Sequence, residues 1–320
     1  MTITILHDCD PGNDDALGIL VALGSPHVSL AAVTTGAGHL AADRTARNAA
    51  ITLGVAGARA IPVTRGALAP LVRERLIAGA LDLGSALDPE RPDLPAVAID
   101  ETRTSAETIA DLASRVAGLT IVTTGPLTNL ALALRNRPSI ATKIARIVAL
   151  GGAWGLGNKT AAAEWNVLCD PEAASIVFGA RVPILLLPID ATAQVVIDDT
   201  LVEAVAALQG RASRFAIELL RSLRTTFKGG DPFAASDMPL NDPLALLVAA
   251  EPALVCTTPA RVDVELAGRF TYGRTVMDFA SKSGLPPNCE IAIRFDVAAT
   301  RLAFVRALAR LSENSSPISS

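Results

Sequence analysis

The sequence predicts an α/β protein with an open, mostly parallel, twisted sheet flanked by helices and a small helical lid region. Two observations carry that expectation. Apolar runs rich in β-branched residues recur at 3–6, 28–34, 61–64, 119–124, 144–150 and 182–189, nearly continuous and so suited to strands buried on both faces. Helical patterns lie between them, which implies parallel strand–helix–strand units and a site outside the carboxyl ends of the strands.

The elements follow in order. The first run leads through Asp8-Cys9-Asp10-Pro11-Gly12-Asn13-Asp14-Asp15 into a helix expected to reach Leu23. Ser105-Ala106-Glu107-Thr108 carries a helix-start signal for a run to Val116, and Asp170-Pro171-Glu172 opens another to Phe178. From 200 to about 227 only helical periodicity appears, followed by a Gly, Pro and Asp stretch over 229–242, so about 200–240 is expected as the lid. Later strands are expected at 261–265 and 291–295, then a closing helix over 297–311. A single domain over 1–311 would leave 312–320 as a Ser-rich, disordered tail.

Half of the 320 residues are apolar, 19% are charged and only 3% are aromatic, so Ala, Leu, Val and Ile must fill the core. Lys plus Arg number 28 against 32 Asp plus Glu, with no basic run and one Tyr, which argues against nucleic-acid binding. The first residues lack the features of a signal peptide, and no apolar stretch approaches a membrane span, so a cytoplasmic protein without a membrane partner is expected. Cys9, Cys169, Cys256 and Cys289 are scattered without Cys-x-x-Cys spacing, which suggests neither a disulfide framework nor a thiolate zinc site.

The most informative feature is the placing of Asp8, Asp10, Asp14 and Asp15 within eight positions directly after an apolar run. Two unit charges 4 Å apart repel by roughly 1 kcal/mol in water and about 4 kcal/mol at an effective dielectric of 20. A bound cation is the natural compensation, and oxygen ligands without His or Cys favour calcium or magnesium over zinc. Asp14 and Asp15 also gain from the amino end of the following helix. Turn or helix capping explains any one of these residues, but not the group. Thr124-Gly125-Pro126, Gly151-Gly152, Asn158, Glu164, Asn166 and Asn241-Asp242-Pro243 stand at later strand ends, and a parallel sheet would gather them on the edge that carries Asp10. Trp154 and Trp165 would either stack on a ligand or pack.

These residues resemble the calcium-dependent nucleoside hydrolases, often called inosine-uridine preferring. The family's opening Asp-x-Asp-Pro-Gly-x-Asp-Asp-Ala is matched by Asp8 to Ala16. The likeness continues through Thr34-Thr35-Gly36-Ala37-Gly38, Arg47-Asn48-Ala49, Thr124-Gly125-Pro126-Leu127-Thr128-Asn129, Gly151-Gly152-Ala153, Ala163-Glu164-Trp165-Asn166, Asp170-Pro171-Glu172-Ala173, Asp242-Pro243-Leu244-Ala245 and Gly273-Arg274-Thr275-Val276. The resemblance implies a Rossmann-like nucleoside hydrolase fold, a homodimer or homotetramer, and hydrolysis of a ribonucleoside to ribose and free base. It implies calcium held by Asp10, Asp15, Asp242 and the Thr124 carbonyl, with Asp10 as general base on a calcium-bound water. Asp14, Asn158, Glu164, Asn166 and Asp242 would grip the ribose. The chemistry suits the residue types, because an oxocarbenium-like state needs negative charge, a held water and a carboxylate to take its proton.

The pattern breaks where the leaving group would be activated. Asn241 replaces the His that commonly precedes the last calcium-binding Asp, and His39 stands where Asn is common. Ala78-Gly79 aligns with a His-Gly pair of a mobile loop, and the usual tyrosines are missing. Asn donates a hydrogen bond but is no acid. His39 is therefore the candidate acid, against the alternative of a sugar or structural contact. The base-contacting loops are expected over 81–95 and 229–239, where the likeness fades, so the nucleobase stays open. Two rivals remain: a ribose- or nucleoside-binding protein on the same fold without turnover, and a haloacid-dehalogenase-like phosphatase using Asp8, Asp10 and a later pair, Asp198-Asp199.

Overall fold

The computed structural model describes residues 2–76, 87, 91–226 and 237–313. In chain order its elements are β1 (Ile3–Cys9), α1 (Asn13–Gly24), β2 (Val28–Thr35), α2 (Ala42–Ala56), β3 (Val63–Arg65), β4 (Ile99–Asp100), α3 (Ser105–Arg115), β5 (Thr120–Thr123), α4 (Thr128–Asn136) and β6 (Arg146–Leu150). There follow α5 (Trp165–Cys169), α6 (Pro171–Phe178), β7 (Ile184–Leu187), α7 (Ile189–Thr192), α8 (Asp199–Ala206), α9 (Arg211–Thr226), α10 (Asp242–Ala250), β8 (Val255–Val264), β9 (Thr275–Asp278), β10 (Cys289–Phe295) and α11 (Val297–Glu313).

Period-two alternation sets up the layers. Ile5, Val122, Val148 and Leu185 face a core with α1, α9, α10 and α11, while Leu6, Ile121, Ile147 and Leu186 face a second core with α3, α4 and α6. Strands β1, β5, β6 and β7 are thus buried on both faces, which is why their sequences read as unbroken apolar runs. Helix α1 is buried on nearly all sides, beneath α9, α10 and α11, and so it too is apolar all round after its first turn.

The described strands form one ten-stranded sheet in the order β4-β3-β2-β1-β5-β6-β7-β10-β8-β9. From β4 to β10 neighbouring strands are parallel; β8 runs antiparallel to β10, and β9 antiparallel to β8. The chain winds outward from β1 through β2, β3 and β4, then returns to lay β5 on the other side of β1 and winds the opposite way. That reversal opens a crevice beyond the carboxyl ends of β1 and β5, the place where open α/β sheets bind ligands.

Several expectations shift in register. The run at 61–64 becomes β3 at Val63–Arg65, and the run at 182–189 yields β7 and then, from Ile189, the short helix α7. The strand expected at 261–265 is the second half of β8, which begins at Val255. Pro259, paired only with Glu290, precedes the part of β8 that pairs with β9, so its missing N–H interrupts no ladder there. Ser312 and Glu313, expected in the tail, are instead the last residues of α11; residues 314–320 lie outside the described residues. Over the expected lid, α8 and α9 are helical and α9 packs on α1, α2 and α11, while residues 227–236 are not among those described. Among the described residues no helix is long and apolar enough to cross a membrane.

Candidate active site

The acidic segment is presented by the end of β1 and the start of α1. Gly12 caps α1, and Asp14 and Asp15 occupy its first turn, where the helix dipole favours negative charge. Asp242 starts α10 in the same way, so the amino termini of α1 and α10 each bring carboxylates to one group. The carboxylates of Asp14, Asp15 and Asp242 offer oxygens that all lie within 4.8 Å of one another. Burial, then mutual repulsion with each other and Asp10, pushes the carboxyls of Asp15 and Asp242 well above the usual range; Asp14 is raised chiefly by burial. Such a group is stable as carboxylates only beside compensating positive charge.

Asp10 stands next to this group and belongs to no tight cluster itself. Its Oδ2 accepts from the backbone N–H of His39 at 2.9 Å and lies 3.3 Å from His39 Nδ1. The backbone closes around the carboxylate: a Cβ on Gly38 would sit 2.0 Å from Oδ2, and one on Gly125 would sit 2.4 Å from Oδ1. Those two glycines are required by close approach. His39 is half-exposed and stacks on Trp165 with ring centroids 4.3 Å apart. Burial opposes a charge on its ring, but Asp10, Asp14 and Glu164 outweigh this and raise its pKa.

Thr124, just past β5, ties the two strands together. Its hydroxyl donates to Asp15 Oδ1 when that group is a carboxylate, and then accepts from His7 Nε2–H, 2.8 Å away. The Thr124 carbonyl receives Asn166 Nδ2 at 2.8 Å. Asn166 also donates to Leu150 O, so both amide hydrogens are used and its Oδ1 is left to accept. Glu164 caps α5 and accepts from the backbone N–H groups of Gly152, Asn166 and Val167. Asn158, exposed on the preceding loop, uses Oδ1 to accept from Trp165 N, leaving its NH2 to donate.

Asn241 does not end a strand of the sheet, contrary to its expected place; it precedes α10, two residues after Pro239, which bridges to Val196. It has φ 46° and ψ −108°, a strained combination for a residue with a Cβ, and its Oδ1 accepts from Thr192 Oγ1 at 2.9 Å. Asp198 and Asp199, the second pair of the phosphatase reading, are spent elsewhere: Asp198 caps α8 and pairs with Arg301, and Asp199 pairs with Arg224. Trp165 is buried packing, and Trp154 meets Phe279 edge-on. Ala78-Gly79 and much of the two base-contacting loops (81–86, 88–90 and 229–236) lie outside the described residues.

Some participants escaped the sequence reading. Thr34 and Asn129 hold Asp8, which accepts from Thr34 Oγ1 and Asn129 Nδ2, and Asn48 Nδ2 holds the Pro11 carbonyl at 2.8 Å. Asn48 and Asn129 belong to the blocks Arg47-Asn48-Ala49 and Thr124–Asn129 that resemble the family, which was the available signal. His7, fully buried within β1, gave none beyond its alternation with Cys9.

The family model described as inosine-uridine preferring nucleoside hydrolase matches residues 5–301. The chain belongs to that family. This nucleoside hydrolase is 40% identical over 314 residues to the pyrimidine-specific ribonucleoside hydrolase RihA of Citrobacter koseri, covering 95% of this chain and 99% of that protein. It is also 40% identical over 300 residues to the RihA of Escherichia coli O9:H4, covering 92% and 95%. Among solved structures it resembles a plant nucleoside hydrolase (TM-score 0.86, 29% identity, 98% and 99% of the two chains) and the purine-preferring ribonucleoside hydrolase of Gardnerella vaginalis (0.88, 28%, 97% and 99%). The nucleoside hydrolase is thus an enzyme of the N-ribosyl hydrolase class, with an α/β fold shared with these neighbours.

Proposed function

We propose that the enzyme cleaves the N-glycosidic bond of pyrimidine ribonucleosides, with calcium at the acidic crevice, Asp10 as general base, and no proton donated to the leaving base from position 241. The observation that carries this reading is the buried oxygen set, Asp14, Asp15 and Asp242 within 4.8 Å, beside Asp10 and Thr124 at the reversal of strand order. Hard oxygen donors of this kind suit calcium. Asp10, Asp15, Asp242 and the Thr124 carbonyl would hold it. When bound, calcium supplies the positive charge that orders a water and the sugar hydroxyls beside the carboxylates.

The chain's own groups then divide the work. Asp10 takes the proton of the attacking water. Asn166 Oδ1, the remaining acceptor capacity of Glu164 and the Asn158 amide meet the ribose hydroxyls, with Asp14 and Asp242 on the diol. Deoxyribose would leave some of these partners unpaired, the buried Glu164, Asn166 and Asp242 among them, and be rejected. In an inverting displacement, acid and base stand about 6.5–9.5 Å apart on opposite faces of the sugar. His39 Nδ1, only 3.3 Å from Asp10, stands on the water's side, which favours a role in positioning Asp10 over the acid role expected from the sequence. Asn241 offers its NH2 to the departing base while Thr192 holds its oxygen. Pyrimidine preference rests on the RihA relatives, which are 40% identical over almost the whole chain.

The test is hydrolysis of p-nitrophenyl β-D-ribofuranoside, uridine and inosine, each with a chelator and with calcium restored. Chelator-sensitive turnover with uridine ahead of inosine is expected. No turnover of any of the three with calcium present would overturn the reading; preference for inosine would overturn the pyrimidine part alone.

A further inference from the structure

We propose that His7, Cys9 and Asp15 form a second metal site, directly behind the acidic crevice, at which a zinc-class ion binds and switches the enzyme off. A ring nitrogen of His7, the Cys9 sulfur and an Asp15 carboxylate oxygen lie within 4.8 Å of one another, and all three residues are buried. The fold assembles them: His7 and Cys9 are two apart on β1 and share one of its faces, and the first turn of α1 brings Asp15 over that face. Nitrogen, sulfur and one oxygen are the donors of zinc-class ions, not of calcium.

A second observation points to a ligand. With Asp15 ionised, as a metal ligand must be, the Thr124 hydroxyl donates to it, His7 Nε2 carries the ring proton and Nδ1 is a bare lone pair. That nitrogen is buried with no hydrogen-bond partner, and native proteins rarely leave such a group unsatisfied. Cys9 is nearly as idle, its Sγ making only a 3.7 Å contact with the Thr34 carbonyl.

Asp15 is the coupling element, because it belongs both to this group and to the Asp14, Asp15, Asp242 set. A zinc-class ion with bonds of about 2.0–2.3 Å to all three donors would take an Asp15 oxygen as one of its ligands. His7 and Cys9 are held on a central strand, and an Asp15 carboxylate bound to zinc gives up charge and lone pairs that otherwise serve Asp14, Asp242 and the Thr124 hydroxyl in the crevice. The Cys9 thiol releases its proton to solvent as the metal–sulfur bond forms, and no electron is transferred.

The experiment uses the full chain, stripped of metal and titrated with cobalt(II) as the spectroscopic stand-in for zinc. A thiolate-to-cobalt charge-transfer band saturating at one equivalent, bleached by zinc and missing in Cys9→Ala and in Cys9→Ser, is expected. No band in the wild-type chain, or a band that survives in a folded Cys9 variant, would overturn the proposal. With calcium saturating, zinc should lower wild-type turnover by about a hundredfold, as a diverted active-site group does, and should lower Cys9→Ala far less relative to its own zinc-free rate. Equal inhibition of the two would also overturn it. The turnover arm rests on the proposed function, whereas the cobalt spectrum reads the site even if no nucleoside is cleaved.

Discussion

Gly125→Ala should disable the enzyme by moving one carboxylate. No φ in the left-handed range constrains Gly125, so alanine suits its backbone and the effect is steric. The new Cβ would lie 2.4 Å from Asp10 Oδ1 and 3.0 Å from Asp10 N, where ordinary contact begins near 3.4 Å. The carboxylate must therefore retreat by the difference, 3.4 less 2.4, or about 1 Å. A misplacement of about 1 Å in a reacting group costs roughly a hundredfold in rate, or about 2.7 kcal/mol of barrier. With calcium saturating, the loss should fall chiefly on kcat, because the contacts of Asn158, Glu164 and Asn166 to the ribose are left in place while Asp10 is moved from the water. Gly12→Ala is the matched control, since its Cβ would meet Asp14 Oδ1 at an ordinary 3.5 Å; it should retain turnover within about twofold, about 0.4 kcal/mol. The assay is release of p-nitrophenolate from the riboside, with a thermal melt to confirm that both variants fold. A folded Gly125→Ala enzyme with wild-type kcat would refute the placing of Asp10 as base.

Other outcomes follow from the same geometry. Chelation should lower the melting temperature as well as abolish turnover, because the buried carboxylates of Asp14, Asp15 and Asp242 then face one another uncompensated; a melt indifferent to chelator would count against a cation there. Asn241→His should speed uridine hydrolysis by about a hundredfold, the scale of one general acid, while leaving p-nitrophenyl riboside unchanged, and equal changes on both substrates would remove position 241 from leaving-group activation. Burial pushes His7 down to about 3 from its ordinary 6.5, so as pH falls from 6.5 toward 3 the unfolded chain takes up a proton that the folded chain refuses. Stability should therefore drop by about 1.4 kcal/mol per pH unit in that window. His7→Gln keeps a donor for Thr124 without titrating and should flatten the acid limb of denaturant-derived stability; a limb as steep as wild type would contradict the burial argument.

The sheet was legible because its central strands are buried on both faces, so burial wrote continuous apolar runs at β1, β5, β6 and β7 and over the second half of β2. Strand β4 has two residues, and β9 is half-exposed at the sheet's edge, so neither leaves such a run. Local chemistry also betrayed the site: Asp8 to Asp15 crowd charges that folding alone does not ask for. What sequence could not give was contact across long separations. His7, Thr124 and Asp15 meet only when β1 and β5 pair, 117 residues apart at the His7–Thr124 bond. The 3.3 Å approach of His39 to Asp10 likewise depends on how the turn after β2 folds back over β1. The strain at Asn241 has no local signature, since Asn serves equally well in ordinary turns.

The place of β10 between β7 and β8 has a consequence for how the chain must come together. The open side of β7 receives a strand made about a hundred residues later, and β8 and β9 can join the sheet only through that same strand. Until the C-terminal segment arrives, a nascent or truncated chain carries an unprotected apolar edge at Ile184–Leu187 and a detached hairpin. Non-local parallel pairing of this kind is slow, and bare edges recruit other chains. Strand β10 therefore acts as the seal against aggregation, although it stands three strands away from β5 and four from β1 in the sheet order.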